Sequence, residues 1–593
     1  LSRYCQGLIE ATWIAAVVII PLFFNIYTSR VFEPDKVAIL RSLALLNLGA
    51  WIVKAYEDRS LLRKAFNNSR SWITTIRNTP MLVPAIGLAI VYLISTVFSI
   101  SPAVSWGGSY QRLQGTYTTL SYLIIFASIL GNMRRWCQVE RLINTIILTS
   151  LPVALYALIQ HLQIDPIPWA GDTSTRVTAN MGNSIFLSAY LIMVFPLTIG
   201  KIIWHIRKII IDDASRLTNI VLVLVTVYIA IFQVIAIYLS QSRGPLLGLL
   251  VGFFIFALLM CVYWQKRRIF NALILITLAG SIFLALIAQG NGALGKLSSL
   301  PGIGRFSMLL DLDSATAMSR KYIWQGAENL VTRHQPLKFP DGSIDKYNSL
   351  RPIIGYGPET MYVAYNQYFP VELGQVEKRN ATPDRSHNET WDTLVITGVL
   401  GCMEYLIIFG AVYYYAMKWL GLVKNKREAA RLLGLLLAGS ISGVVGVGWY
   451  LGVEYTGVGL PFGLVIGLVM YFLTINLGSG REKSHNGNNY LGDLIVMVLV
   501  SAVSAHLIEI NFGIAIVVTR LLFWIYVGIL VVIGNKLHSN SLFVPEGSVQ
   551  DSKASQISKK RGGRQAPAFH QLVRQVGVQY DGKLSKWIGE ICI

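Results

Sequence analysis

Stretches of about 20 predominantly apolar residues recur from one end of this chain to the other, and that repetition limits its possible folds more than any other feature. An α-helix of about 20 residues crosses roughly 30 Å of hydrocarbon with every backbone polar group bonded inside the segment, which a loop or open sheet cannot do. Candidate spans lie near residues 8–28, 37–54, 81–100, 116–132, 141–161, 183–203, 219–240, 244–264, 269–289, 391–419, 430–451, 456–477, 491–510 and 514–535. The chain is 14% charged, against about a quarter in a soluble domain. The expected fold is therefore an all-α integral membrane protein, a polytopic helical bundle of about 14 spans, and water-soluble classes are excluded. No small-residue cleavage site follows the first run, which reads as a retained helix rather than a signal peptide.

The net charge of +20 would suggest nucleic acid in a soluble protein. Here the basic residues fall in short connectors, where they orient helices, and no nucleic-acid partner is expected. One alternating set of connectors carries them: Arg59, Arg63, Lys64, Arg70 and Arg77, then Arg134 and Arg135, then Arg207 and Lys208. The set continues with Lys266, Arg267 and Arg268, Lys424, Lys426 and Arg427, Arg481 and Lys483, and a tail cluster of Lys559, Lys560, Arg561 and Arg564. Short cytoplasmic loops are enriched in Lys and Arg, so both termini are predicted cytoplasmic. The expected organisation is an N-terminal bundle over 1–289, a large extracytoplasmic loop with short helices over 290–390, a C-terminal bundle over 391–535, and a basic, disordered tail over 536–593 suited to anionic lipid. Loops of such size usually carry function. The five cysteines, Cys5, Cys137, Cys261, Cys402 and Cys592, are scattered and suggest no disulfide framework.

Basic residues on the outer side run against the orientation rule and call for another explanation. Arg112 lies in Trp-Gly-Gly-Ser-Tyr-Gln-Arg-Leu-Gln-Gly (106–115), with Tyr110 beside it, and Arg176 in Thr-Arg-Val-Thr-Ala-Asn-Met-Gly-Asn (175–183), which ends at Asn183. Arg243 occupies a very short break between two apolar runs, which puts a guanidinium near membrane depth at a cost that a partner must offset. Arg320, in Met-Ser-Arg-Lys-Tyr-Ile-Trp (318–324), opens an amphipathic helix inside the large loop. Each is explained either as a snorkelling or carbonyl-capping residue or as part of an anion site; four facing one compartment would suit a diphosphate, whose oxygens match the guanidinium fork.

Asp-Arg-Ser-His-Asn-Glu-Thr-Trp (384–391) ends the loop at the outer surface. A neutral His387 there can accept a proton from a hydroxyl, a role contributing about 10²- to 10⁴-fold in rate. The competing reading makes this segment a helix cap built on Ser386 or Asn388. Asp311 and Asp313 form a poor metal pair, and no metal or cofactor is expected; Asn380 and Asn388 match a glycosylation pattern too short to carry weight.

Together these segments make the chain resemble the O-antigen ligase and O-antigen polymerase superfamily of bacterial envelope proteins. Ser-Arg-Gly-Pro-Leu-Leu-Gly-Leu-Leu-Val-Gly (242–252) is similar to the family's Ser-Arg-Gly helix start, and Ser-His-Asn-Glu-Thr-Trp-Asp-Thr-Leu-Val-Ile-Thr-Gly-Val-Leu-Gly (386–401) to its His-Asn segment. Arg320 with Trp324, then Pro336 and Gly355-Tyr-Gly-Pro-Glu, resembles its loop pattern. The resemblance covers about residues 8–480; an insertion around 338–352 and two spans beyond about 490 depart from it. It implies a multi-pass protein of the cytoplasmic membrane with an active site on the extracytoplasmic side. The implied reaction moves a glycan from a polyprenyl diphosphate to a lipid, glycan or protein acceptor, without metal and with inversion. His387 would activate the acceptor hydroxyl. Arg243 and Arg320, with Arg112 and Arg176, would hold the diphosphate, and Tyr110, Asn183 and Asn388 would support them. Ligase, polymerase and protein O-oligosaccharyltransferase differ only in acceptor and stay open at this point, as does a transporter of lipid-linked glycan, which predicts charges deep along several helices.

Overall fold

The computed structural model of the chain describes residues 1–57, 74, 76–169, 171–288, 314–332, 334–377, 381–478 and 490–538. Among these, 12 helices are long and apolar enough to cross a membrane. Two more, of 16 and 17 residues, occupy the third and fourth predicted spans. In chain order the helices are α1 (Ser2–Leu22), α2 (Glu33–Glu57), α3 (Leu82–Val97), α4 (Pro102–Gly107), α5 (Thr116–Asn132), α6 (Trp136–His161), α7 (Ser184–Ile211) and α8 (Arg216–Leu239). They continue as α9 (Arg243–Tyr263), α10 (Arg267–Ala288), α11 (Ala315–Val331), α12 (Glu389–Trp419), α13 (Lys426–Leu451), α14 (Thr456–Leu477), α15 (Tyr490–Glu509) and α16 (Val517–His538). The polytopic helical fold expected from the apolar runs is the fold observed. The first span is displaced by six residues from its predicted place near 8–28: the chain turns extended at Phe23, two residues beyond Pro21, so 25–28 belong to a connector.

Alternate connectors gather at one end of the bundle, called here the loop end. Lys36 Nζ in α2 donates to the Asn180 carbonyl at 2.9 Å, and the Asn180 amide donates to the carbonyl of Pro21 in α1. Gln325 of α11 and Trp391 of α12 both reach Glu454 in the α13–α14 connector, at 3.2 and 2.8 Å. The Val517 amide of α16 donates to Glu33 of α2 at 3.2 Å. Two described members of the basic set mark the other end, where Arg207 lies over the Tyr490 ring at 3.5 Å and Arg267 donates to the Gly478 carbonyl.

Glycine lets several helices approach at backbone distance. A Cβ on Gly248 or Gly252 of α9 would lie 2.5 or 2.8 Å from the Ala505 or Ser501 carbonyl of α15, and Gly439 of α13 faces Gly463 of α14 in the same way. Such small-residue seams trade side-chain bulk for close packing and interhelical hydrogen bonds, and Ser501 Oγ duly donates to the Gly252 carbonyl at 2.9 Å.

The described part of the segment between α10 and α12, from Ser314 onward, packs on the bundle. Its Gly355-Tyr-Gly turn lies against a break in α12 at Gly398, where φ is +66° and ψ is −164°. The amides of Tyr356 and Gly357 donate to the carbonyls of Val395 and Ile396 at 2.8 and 3.0 Å. A Cβ on Gly355 would sit 2.3 Å from the Ile396 backbone, and one on Gly398 2.3 Å from that of Ile353. Above this junction Ile323, Trp324, Ala327, Leu330, Tyr365 and Val395 form a second apolar core that seats α11 on α12.

Gly398→Ala meets both obstacles, a backbone region reserved for glycine, costing about 1–3 kcal/mol, and a neighbouring backbone with no room to yield. It is expected to lower the apparent Tm of the purified protein and to expose 339–352 to protease. Orientation is tested in a chain otherwise stripped of cysteine. Asp345 is buried against Arg351 at 2.7 Å, so the exposed Ser343 is the better reporter. Ser343→Cys should react with an impermeant thiol reagent in intact spheroplasts and Lys424→Cys should not; the reverse labelling would overturn the inside-positive reading.

Candidate active site

At the loop end, α8 stops at Leu239 and α9 begins at Arg243, so only three residues reverse the chain. Gln241 accommodates this with φ +50° and Ser242 is extended. Arg243 thus emerges at an α-helix N-terminus, whose amides and dipole favour an anion. Its Nη1 lies 3.5 Å from Ser314 Oγ, at the start of α11. The strap preceding α7 is tied to the same turn: Arg176 Nε donates to the Ser240 carbonyl at 3.3 Å, and Gln241 Nε2 to that of Thr175 at 2.6 Å. Arg320 comes from the second turn of α11.

These three arginines line one cavity of about 740 Å³. Gln241, Ser314 and Thr316 join them at the polar rim, and an apolar wall is made by Leu247 of α9, Val447 and Leu451 of α13, Val458 and Phe462 of α14, and Phe512. Burial first, then the charges of Arg176 and Arg243, push the Arg320 guanidinium down to about 10, with Glu509 opposing. Like charges gathered beside an apolar wall form a site that a multivalent anion with a hydrocarbon tail satisfies on both counts.

His387 stands behind Trp324, which lines the cavity and donates from Nε1 to the Ser386 carbonyl at 2.9 Å. The histidine has φ +55°, an uncommon state for a residue other than glycine and one that clusters at functional sites. Asn388 is the N-cap of α12, its Oδ1 accepting the Trp391 amide at 3.0 Å and its Nδ2 donating to the Asn511 carbonyl at 3.1 Å. No described residue hydrogen-bonds the imidazole of His387. Burial chiefly, then Arg320, holds it well below the usual imidazole range, at about 4, against the opposing pull of Asp384. At neutral pH the ring is therefore unprotonated and able to accept a proton.

Residues 228–337 match the model of the O-antigen ligase family. Over that stretch the chain is similar to O-antigen ligases. The stretch begins within α8, passes through the Arg243 turn, α9 and α10, and ends just beyond α11, so it contains both Arg243 and Arg320. The family is one of membrane glycosyltransferases and ligases, as the motif resemblance led us to expect. No curated protein matches the chain.

Around this matched segment the other predicted residues fall into place unevenly. Arg176 joins Arg243 and Arg320 from outside it. Arg112 does not line the cavity; it pairs with Asp384 at 2.5 Å and so stands on the His387 side. Tyr110 is exposed, its hydroxyl 3.1 Å from Ser29 Oγ. Asn183 caps α7, accepting the Ile185 amide at 2.9 Å. For Asn388 the capping alternative is realised, with His387 at the base of the cap. Asp311, Asp313, Asn380 and the tail beyond 538 lie outside the described residues. Sequence reasoning passed over Glu509, buried at the end of α15 with neither carboxylate oxygen hydrogen-bonded and His506 Nδ1 3.5 Å away. An acid within an apolar span was the available signal. Asp384 and Asp392, which hold Arg112 and Ser386, carried no signal beyond their nearness to His387.

With histidines isotopically labelled and His387 assigned by its loss in His387→Ala, an NMR titration should place its midpoint near pH 4. In Arg320→Gln, which removes one of the charges opposing protonation, the midpoint should rise. A wild-type midpoint near the ordinary value of about 6.5 would show that the ring is neither desolvated nor under the arginines' field.

Proposed function

We propose that this membrane glycosyltransferase-family protein transfers a glycan from a polyprenyl diphosphate carrier to an acceptor hydroxyl, at the outer face of the cytoplasmic membrane. The observation that carries the reading is the 740 Å³ cavity in which Arg176, Arg243 and Arg320 face an apolar wall. A diphosphate ester of a long isoprenoid needs that pairing of cationic rim and hydrocarbon surface.

The acceptor hydroxyl gives its proton to the neutral imidazole of His387 as its oxygen attacks the anomeric carbon of the glycan. The bond from that carbon to the diphosphate oxygen breaks, with inversion. The electron pair leaves on the diphosphate, where the three guanidinium groups meet the charge as it develops. Preorganised charges of this kind, in a site of low dielectric, commonly contribute about 3–4 kcal/mol per donor to a transition state. The leaving group needs no proton, so His387 can act as a base alone. Arg112, neutralised by Asp384, supports the His387 side and not the diphosphate.

The same electrostatics couples donor binding to base strength. Arg320 suppresses protonation of His387; a bound diphosphate offsets that field and raises the imidazole's proton affinity when the base is needed. The acid limb of kcat/KM, which reports free enzyme, should therefore lie near pH 4, and that of kcat, which reports the complex, at higher pH.

The deciding measurement is release of free polyprenyl diphosphate from a lipid-linked oligosaccharide by protein in nanodiscs, with candidate acceptors and added chelator. Wild type should release it, and His387→Ala, Arg243→Ala and Arg320→Ala should each lose at least about 10²-fold. Product size then separates ligase from polymerase. If wild type releases nothing with any acceptor yet moves labelled lipid-linked glycan between leaflets, a transporter replaces the enzyme.

A further inference from the structure

We infer that Asp392 is a positioning residue that sets the geometry of His387 through Ser386 and couples it to the helix bearing Arg320. The inference rests on the reading of His387 as the base. Asp392 is buried in the first turn of α12 and does not line the cavity. Its Oδ1 accepts two hydrogen bonds from one residue, the Ser386 amide and the Ser386 hydroxyl, each at 2.7 Å. Ser386 Oγ also lies 2.9 Å from the Asn388 carbonyl, so its single proton is shared between two acceptors that both follow His387 in the chain. The third polar group of Ser386, its carbonyl, accepts from Trp324 Nε1 at 2.9 Å. Trp324 is four residues, one helical turn, beyond Arg320 on α11.

Every polar group of Ser386 is thus engaged, two by Asp392 and one by the Arg320 helix, while Asn388 is fixed as the cap of α12. His387 lies between two immobilised neighbours, in a left-handed conformation that persists only where its surroundings over-determine it. The imidazole alone is left without a hydrogen bond from any described residue. This is what a base needs: a fixed backbone, a fixed offset from the charges that receive the leaving group, and a ring nitrogen open to substrate.

Helix capping does not account for Asp392, because Asn388 already caps α12. Nor does stability alone, since Asp392 Oδ2 is buried without a hydrogen-bond partner, an arrangement that usually costs more than an apolar substitute. The neighbouring Arg385, ion-paired with Glu359, supplies a positive charge felt by Asp392. Only Oδ1 is required by the clamp. Asp392→Asn keeps that acceptor and should work; Asp392→Ala removes it and should not.

The test uses the full chain in nanodiscs, with an undecaprenyl diphosphate-linked oligosaccharide as donor and glycolipids extracted from the bacterial envelope as acceptors. Asp392→Ala is expected to lower kcat by about 10- to 100-fold, the scale of an ångström-size displacement of a catalytic group, with KM for the donor unchanged. Asp392→Asn should stay within a few-fold of wild type. In a His387→Ala background, Asp392→Ala should cost nothing further. The labelled His387 ring resonance should move in Asp392→Ala and hold in Asp392→Asn, a readout that needs no turnover. Should Asp392→Ala fail to fold, Ser386→Ala and its rescue by Ser386→Thr carry the same comparisons. Wild-type kcat with an unmoved His387 resonance in Asp392→Ala, or an undiminished loss in the His387→Ala background, overturns the positioning role and leaves the base reading intact. Full activity in His387→Ala overturns the base reading, whatever Asp392 does.

Discussion

The site depends on a backbone-to-backbone junction between the Gly355 turn and the break in α12 at Gly398. Arg320 belongs to the connector and His387 to the entrance of α12, and nothing in the chain's local geometry sets their separation. The junction does. Two backbones meet with no side chain between them, the Tyr356 and Gly357 amides replace bonds that the helix forgoes at its break, and α11 is laid over the joint by its apolar face. Soft side-chain packing would allow α11 to slide by the width of a rotamer; carbonyl–amide pairs fixed at 2.8 and 3.0 Å allow far less. A reaction that needs a base on one element and an anion clamp on another has to be built on such a joint.

The second constraint is charge. Arg176, Arg243 and Arg320 arrive from three separate parts of the chain; beyond burial, Arg243 makes Arg176 costlier to hold and both make Arg320 costlier. The scaffold carries that repulsion: a three-residue turn leaves Arg243 no alternative place, the Ser240 carbonyl holds Arg176, and the α11–α12 core holds Arg320. Glu509 counters part of the charge from beneath, but Phe512 and not Glu509 faces the cavity. An acid kept out of the lining tempers the field without standing as a counter-ion inside the cavity. Burial chiefly, with the charge of Arg320, keeps His387 neutral, so Arg320 links the cluster of positive charge to the imidazole.

Much of this was legible in the sequence because membrane solvation writes itself into composition. A 20-residue apolar run has few alternatives, and every predicted span corresponds to a helix. Arg243 was legible for the same reason: a guanidinium in a three-residue break between apolar runs has no cheap explanation. The partners of His387 were not. Asp392 sits at i+6 from Ser386 and Asp384 meets Arg112 from across the chain, and neither contact follows from helical periodicity. The break at Gly398 was hidden because Thr-Gly-Val-Leu-Gly reads as unbroken apolar helix; only the approach of a second backbone shows why glycine stands there. Arg112 was grouped with the other three, behind Arg243 and Arg320, because sequence gives the sign and side of a charge but not the carboxylate that pairs with it.

The cavity's apolar wall follows a different logic from its charged rim. The rim is fixed by polar contacts, whereas much of the wall comes from α13 and α14, a hairpin joined to itself along a glycine seam. On α13 only Leu432, Leu436 and Ser440 are fully buried, and the remaining face presents Leu433, Leu437, Ile441 and Val445 outward as lipid-exposed helices do. Val447 and Leu451 of the cavity therefore belong to the same helix that meets hydrocarbon on its outer face. A hairpin cohesive in itself, with one face to lipid and one to the cavity, needs no polar bond to its neighbours to keep its shape. That separation of duties leaves the wall to offer dispersion and apolar area, while the directional interactions are concentrated at the rim.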